Sequence, residues 1–163
     1  MRRLLVISFL FFFLIGLASG QENSKLLNVR RIYIGDLGRE EGSDLVREKI
    51  RVRLMKSGRF AVVEKPEAAD TVLTGVAGVE RRYTSSVNTD SSGNVYGSGG
   101  TSYSGIGLLR LVDPKSEETI WVFEYKRGFS LGSASSRVAN KFVENLLKDA
   151  KAAEKYSGAS TKK

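Results

Sequence analysis

The sequence predicts an α/β (α+β) single domain: a mixed sheet of about five strands with two helices packed on one face, in the order β-α-β-β-β-β-α. Three observations lead there. Two segments, 43–57 and 133–150, repeat apolar residues every third or fourth position, as amphipathic helices do. Five short runs rich in Val, Ile, Tyr and Phe alternate along the rest of the chain and read as strands. The chain has 163 residues, the size of one domain with a real core.

The chain opens on Arg2 and Arg3, followed by the apolar run Leu4 to Leu17 and the small residues Ala18-Ser19-Gly20. This is the layout of a secretory signal peptide over residues 1–20, cut between Gly20 and Gln21. Fourteen helical residues reach only about 21 Å, short of the roughly 30 Å of a hydrocarbon core. An uncleaved anchor is the competing reading. The expected product is an exported chain, soluble after cleavage, in a periplasm or outside the cell. A lipoprotein needs a cysteine after the apolar run, and the chain has none, so a lipid anchor is not expected.

Residues 21–28 form a polar lead. Arg31 to Gly35 is the first strand, and Asp36 to Gly42 a turn. Ser43 caps the first helix, with Val46, Ile50 and Leu54 as its stripe, Leu45 widening it, and Gly58 as its stop. Phe60 to Lys65 is the second strand, ended by Pro66, and Thr71 to Tyr83 the third. From Thr84 to Gly107, 19 of 24 residues are Ser, Thr, Gly, Asn or Asp, which reads as a long flexible connection. Ile106 to Asp113 is the fourth strand and Thr119 to Arg127 the fifth. In the fifth, Trp121, Phe123 and Tyr125 share one face, and Ile120, Val122 and Glu124 the other. The last helix starts at or near Ser133 and carries Val138, Ala139, Phe142, Val143, Leu146, Leu147 and Ala150. Residues 29–150 make the domain. Residues 151–163 read as a lysine-rich flexible tail.

Composition removes much chemistry. With neither cysteine nor histidine there is no disulfide, thiolate nucleophile, Cys/His zinc site or Ser-His-Asp triad. No cofactor and no metal are expected, and no catalytic residue is identified. The formal charge is +8 for the whole chain. Without residues 1–20 there remain 24 basic and 18 acidic side chains, a charge of +6, and half of it sits in Lys148 to Lys163. Export makes nucleic acid an unexpected partner. A mild positive charge suits peripheral contact with an outer membrane or cell wall.

Four stretches resemble the small periplasmic α/β domain shared by the TolB amino-terminal domain, the curli-secretion protein CsgG and the LpoB-type activators of penicillin-binding proteins. They are Ile32 to Gly38, Leu54 to Glu64 with its Ser57-Gly58-Arg59-Phe60 centre, Ala68 to Gly75, and Leu109 to Asp113 followed by Ile120-Trp121. The resemblance implies a non-enzymatic envelope module that binds an envelope protein in assembly or secretion. It leaves the oligomeric state open. Pore formation through 84–107 is not expected, because that segment lacks the sustained apolar band of a lipid-facing strand.

Candidate contact residues are Tyr83, Tyr96 and Tyr103 in the Ser/Gly-rich segment, since tyrosine gives large contact area at low entropy cost. Trp121 joins them if the aromatic face of the fifth strand is open; otherwise it is core. The acidic turn Asp36, Glu40, Glu41 and Asp44 supports an alternative, a ligand-binding or hydrolytic envelope protein. A further alternative is a structural domain tethered to anionic polymers by its lysines.

Overall fold

A computed structural model describes residues 25–129 and 133–160. The proposed signal peptide, its cleavage site at Gly20 and Gln21, the start of the lead and the last three residues lie outside these. The elements follow the expected order: β1 Arg31–Ile34, α1 Ser43–Ser57, β2 Ala61–Val63, a single 3-10 turn Pro66–Ala68, β3 Thr71–Thr89, β4 Val95–Val112, β5 Thr119–Phe129 and α2 Ala134–Ser160. The sheet order is β2-β1-β3-β4-β5. β1 runs parallel to β2 and β3, while β3, β4 and β5 pair antiparallel.

One face of the sheet carries the core. Ile32 and Ile34 of β1, Leu73 and Ala77 of β3, Leu109 and Leu111 of β4 and Phe123 of β5 are buried there. Both helices lie on that face. α1 contributes Val46, Ile50 and Leu54, and α2 contributes Val138, Ala139, Phe142, Val143 and Leu146. The helix positions recur at intervals of three and four, and the strand positions at intervals of two, which is why one stripe meets one face. Phe142 sits edge-on to Trp121 and to Phe123, with both centroid separations 5.5 Å. α2 comes close to the sheet because β4 carries a glycine beneath it: a Cβ on Gly105 would stand 2.9 Å from Val138 Cγ2.

Several local expectations are corrected. Ser43 does not cap α1; Gly42 holds that position, with no side-chain cap. Leu45 is exposed rather than part of the stripe. Leu26, within the polar lead, is fully buried in the core. Ile120 does not share the face of Val122. Val112 pairs Thr119 while Leu111 pairs Trp121, so Ile120 is the extra residue of a bulge. The bulge turns it into the core, where it is buried. The flexible tail from 151 is helix as far as Ser160. Ala150 and Ala153 prolong the buried stripe, and Glu154 pairs with Arg59 at 3.0 Å. Alanine, lysine and glutamate are strong helix formers, so no breaker ends the helix at 151.

Asp70 locks the start of β1 to the start of β3. Its carboxylate accepts the backbone N–H groups of Arg30 and Arg31 at 3.0 and 2.8 Å, and the Arg31 guanidinium at 2.9 and 3.1 Å. Partial burial raises its pKa, but the Arg31 hydrogen bond and the two backbone donors outweigh that and hold it below the usual 3.8. A carboxylate depressed in the folded state stabilises the fold above its unfolded pKa and loses that contribution as pH falls through the folded one. Asp70→Asn is therefore expected to cost about 1 kcal/mol at neutral pH. The difference in unfolding free energy between the two proteins should shrink below about pH 4. Denaturant titrations at a series of pH values check this; a pH-independent difference contradicts it.

Candidate functional site

The segment 84–107, expected as a flexible connection, is strand almost throughout. β3 and β4 stay in one register from Val72↔Val112 to Thr89↔Val95, and the chain reverses at residues 90–94. The composition misled because serine and glycine are poor strand residues on average. Here the ladder of backbone hydrogen bonds, continued from a sheet already anchored by the core, carries them.

β5 accompanies this pair only as far as Tyr103↔Phe129. On the other side, the loop after β1 covers the edge of β3, with Ala77 N–H donating to Leu37 O and Val79 N–H to Glu41 O, at 2.9 and 2.8 Å. Arg81 closes that side with an ion pair to Glu41 at 3.2 Å. Beyond these points, from Arg82↔Ser102 outward, β3 and β4 form a two-stranded ribbon with both edges unpaired among the described residues. Eight residue pairs at about 3.3 Å each give a ribbon about 26 Å long.

Its two faces differ. Odd-numbered residues of β3 and β4 point to the side that the helices cover further down, as buried Leu73, Ala77, Leu109 and Leu111 show. On the ribbon this side carries Tyr83, Val87 and Val95, with Gly97 and Gly99 between them and Tyr103 at its base, opposite Arg81. Val87 and Val95 are 72% and 67% exposed, and Tyr83 71%. The Arg81 guanidinium stands 5.6 Å from the centre of the Tyr103 ring, and the Tyr83 ring leans over Gly99. The opposite side carries Thr84, Ser86, Asn88, Tyr96, Ser98 and Ser102. There Ser86 and Ser98 share a hydroxyl hydrogen bond of 2.6 Å, and Thr84 and Ser102 donate across the strands to Gly100 O and Arg82 O.

The tip is organised by Asp90. Its carboxylate accepts the N–H groups of Ser92 and Asn94 at 2.9 Å, the Asn94 amide at 3.0 Å and the Tyr96 hydroxyl at 3.1 Å. These donors, Asn94 first, hold its pKa below the usual carboxylate value. Gly93 turns at φ 80°, a conformation that favours glycine.

Of the four candidate contact residues, the fold brings Tyr83 and Tyr103 onto one face and Tyr96 onto the other. Trp121 is elsewhere. It pairs with Leu111, eight residues along β4 from Tyr103. It is half-buried against Phe142, and its indole N–H donates to Asp149 Oδ2 at 2.9 Å. Val87 and Val95 were missed as contact residues. Their even spacing from Tyr83 and Tyr103, around a central Asp-Ser-Ser-Gly turn, was the available signal. In the acidic turn, Asp36 accepts the Gly38 N–H at 3.1 Å and Glu41 binds Arg81. No group of three or more acidic side chains among the described residues is placed to hold a metal ion. No helix among them is long and apolar enough to cross a membrane.

No family model matches the sequence, and no curated protein matches it. Solved structures with a similar chain path include the PelC dodecamer from Paraburkholderia phytofirmans, at 16% identity over 76% of this chain and 87% of that one, TM-score 0.46. The hypothetical protein CT253 from Chlamydia trachomatis is 14% identical over 64% and 75%, TM-score 0.42. An uncharacterized lipoprotein B from Nitrosomonas europaea is 18% identical over 78% and 79%, TM-score 0.34. Likenesses of this size leave the function to be argued from the chain's own residues.

Removing the organising carboxylate tests the described tip. Asp90→Ala is expected to speed amide hydrogen exchange at Ser92, Asn94 and the last pairs of the ribbon by about tenfold or more, while the thermal midpoint stays unchanged. In the parent chain the same amides should lose protection as pH falls through the depressed Asp90 pKa. Equal exchange in both proteins contradicts this role for Asp90.

Proposed function

We propose that this chain is a non-enzymatic, exported protein-binding module of the bacterial cell envelope, and that the ribbon is the arm that holds its partner. The observation that carries the reading is the ribbon's eight residue pairs beyond Tyr103↔Phe129, with both edges unpaired among the described residues and one face carrying Tyr83, Val87 and Val95, with Tyr103 at its base.

A two-stranded hairpin standing alone in water is at best marginally stable. Open edges are an association hazard that folds usually cover or blunt. This ribbon carries no charge between Arg82 and Thr89 and none between Val95 and Ser102, so the usual blunting is absent. An extended strand of a partner could add to either edge through backbone hydrogen bonds, with the tyrosines and valines burying its side chains. Tyrosine and valine on a preformed strand lose little freedom on binding. Gly97, with no side chain over it, leaves the ribbon backbone accessible on the same face.

The signal-peptide pattern supports a contact made outside the cytoplasm, where envelope assembly and secretion take place. The lack of cysteine and histidine, together with the resemblance to CsgG- and LpoB-like domains, favours binding over catalysis.

Replacing residues 83–101 by Asn-Gly would close β3 onto β4 at the Arg82↔Ser102 pair with a two-residue hairpin turn. The shortened chain is expected to keep its thermal midpoint within about 5 °C and to lose capture of the partner that the parent chain retains from envelope extract. A Tyr83→Ala, Tyr103→Ala double variant should weaken that capture by about tenfold or more. A shortened chain that stays folded and captures the same partner as well as the parent overturns the proposal.

A further inference from the structure

No described helix or strand packs on the face of the sheet opposite the helices; only the loop after β1 reaches its β3 margin, with Gly38 beside Val76 and Glu40 beside Gly78. Even-numbered residues of β3, β4 and β5 line it. Val76, Leu108 and Val122 are 39%, 59% and 57% exposed, around a shallow hollow of about 410 Å³ that also includes Gly75 and Arg110. Half-buried Val72, Ile106 and Val112 extend the apolar area. At the end nearest the ribbon, Glu80 closes it off by pairing with Lys126 at 2.8 Å.

Four residues at the centre of this face form a rectangle. Arg110 pairs with Val122 across β4 and β5, and Leu108 pairs with Glu124. The two charged residues occupy one diagonal and the two apolar residues the other. Arg110 and Glu124 are both exposed, and neither forms an ion pair among the described residues. Yet they stand beside Leu108 and Val122, the most exposed aliphatic side chains of this face.

We propose that this face packs against the same face of a second copy, about a two-fold axis lying between the sheets and running along the Leu108–Val122 diagonal. Such an axis exchanges the corners of the other diagonal. Arg110 of each copy then meets Glu124 of its partner, while Leu108 and Val122 meet their own counterparts. A two-fold contact must be self-complementary in this way. The rectangle measures about 4.8 Å across the strands and about 6.8 Å along them. An axis at about 45° to the strands therefore brings each side chain within about 1.5 Å of its ideal opposite. The strands of the two copies then cross at about 90°, the orthogonal class of sheet packing. Sheets stack about 10 Å apart, a gap that an arginine and a glutamate facing each other can bridge. The Arg110–Glu124 exchange selects a second copy as the occupant. An unrelated apolar partner would bury both charges unpaired, which their desolvation opposes.

Charge reversal gives a test that a structural side effect cannot imitate. Chains would be expressed at full length, purified after export and followed by sedimentation from about 1 to about 500 μM. The parent chain should pass from monomer to dimer in that range. Arg110→Glu sets two glutamates against each other at both corners, and Glu124→Arg sets two arginines. Each single variant should dimerise at least about tenfold more weakly. Mixed in equal amounts, the two variants restore both pairs and should form a heterodimer in preference to either homodimer. The double reversal in one chain should dimerise like the parent. Circular dichroism melts verify that each variant folds. A parent chain that stays monomeric throughout overturns the proposal and leaves the face to another occupant or to solvent. Variants that dimerise as the parent does, or a mixture with no heterodimer preference, overturn it equally.

Discussion

The antiparallel register of β3 and β4 runs from Val72 opposite Val112 to Thr89 opposite Val95 without a slip, and the three surfaces of the molecule follow from it. Because side chains alternate strictly along a strand, a register fixed in the core is fixed everywhere along the pair. Burial of Leu73, Leu109 and Leu111 beneath the helices commits the odd positions to one side. Tyr83, Val87 and Val95 on the ribbon and Tyr103 at its base must then share a face, and Val76, Leu108 and Arg110 must share the opposite face of the sheet. A one-residue slip would scatter all of these together. The core anchors the hairpin at one end, and the Asp90 turn closes it at the other.

Anchoring also explains how a serine- and glycine-rich segment remains strand. A hairpin formed from residues 84–101 alone would have to meet the whole cost of ordering its backbone. Extending an existing pair adds hydrogen bonds one step at a time from a base already held by Gly105 and Gly107 beneath Val138 and by β5 alongside. The ribbon is the part of the fold with the fewest apolar contacts, and opening of such regions is the least costly.

The element order, the two-helix face and most of the core were legible in the sequence, because the period of apolar residues reports the face an element buries. Val46, Ile50 and Leu54 announced α1, and Phe142 with Leu146 announced α2. What the sequence concealed was of two kinds. Ile120 changed face through a bulge, a backbone event with no side-chain signature. The ribbon and the last turns of α2 were concealed by composition: serine and glycine suggested a loop, and lysine suggested a solvated end. In both, tertiary context outweighs average propensity. The candidate site was half visible. Three tyrosines were identified, but only the register sorts them, placing Tyr83 and Tyr103 together and Tyr96 behind them, and it adds Val87 and Val95. Trp121, the most conspicuous aromatic residue, belongs to the core beside Phe142 and Asp149.

Nuclear Overhauser contacts along the ribbon measure the continuity of this register most directly. The cross-strand pairs Tyr83–Thr101, Ser85–Gly99 and Val87–Gly97 should give inter-strand backbone contacts and extended-chain chemical shifts, continuous with those of Leu73–Leu111. Random-coil shifts from 84 to 101 with no cross-strand contacts, or contacts displaced by one residue from these pairs, would contradict the assignment of the two faces.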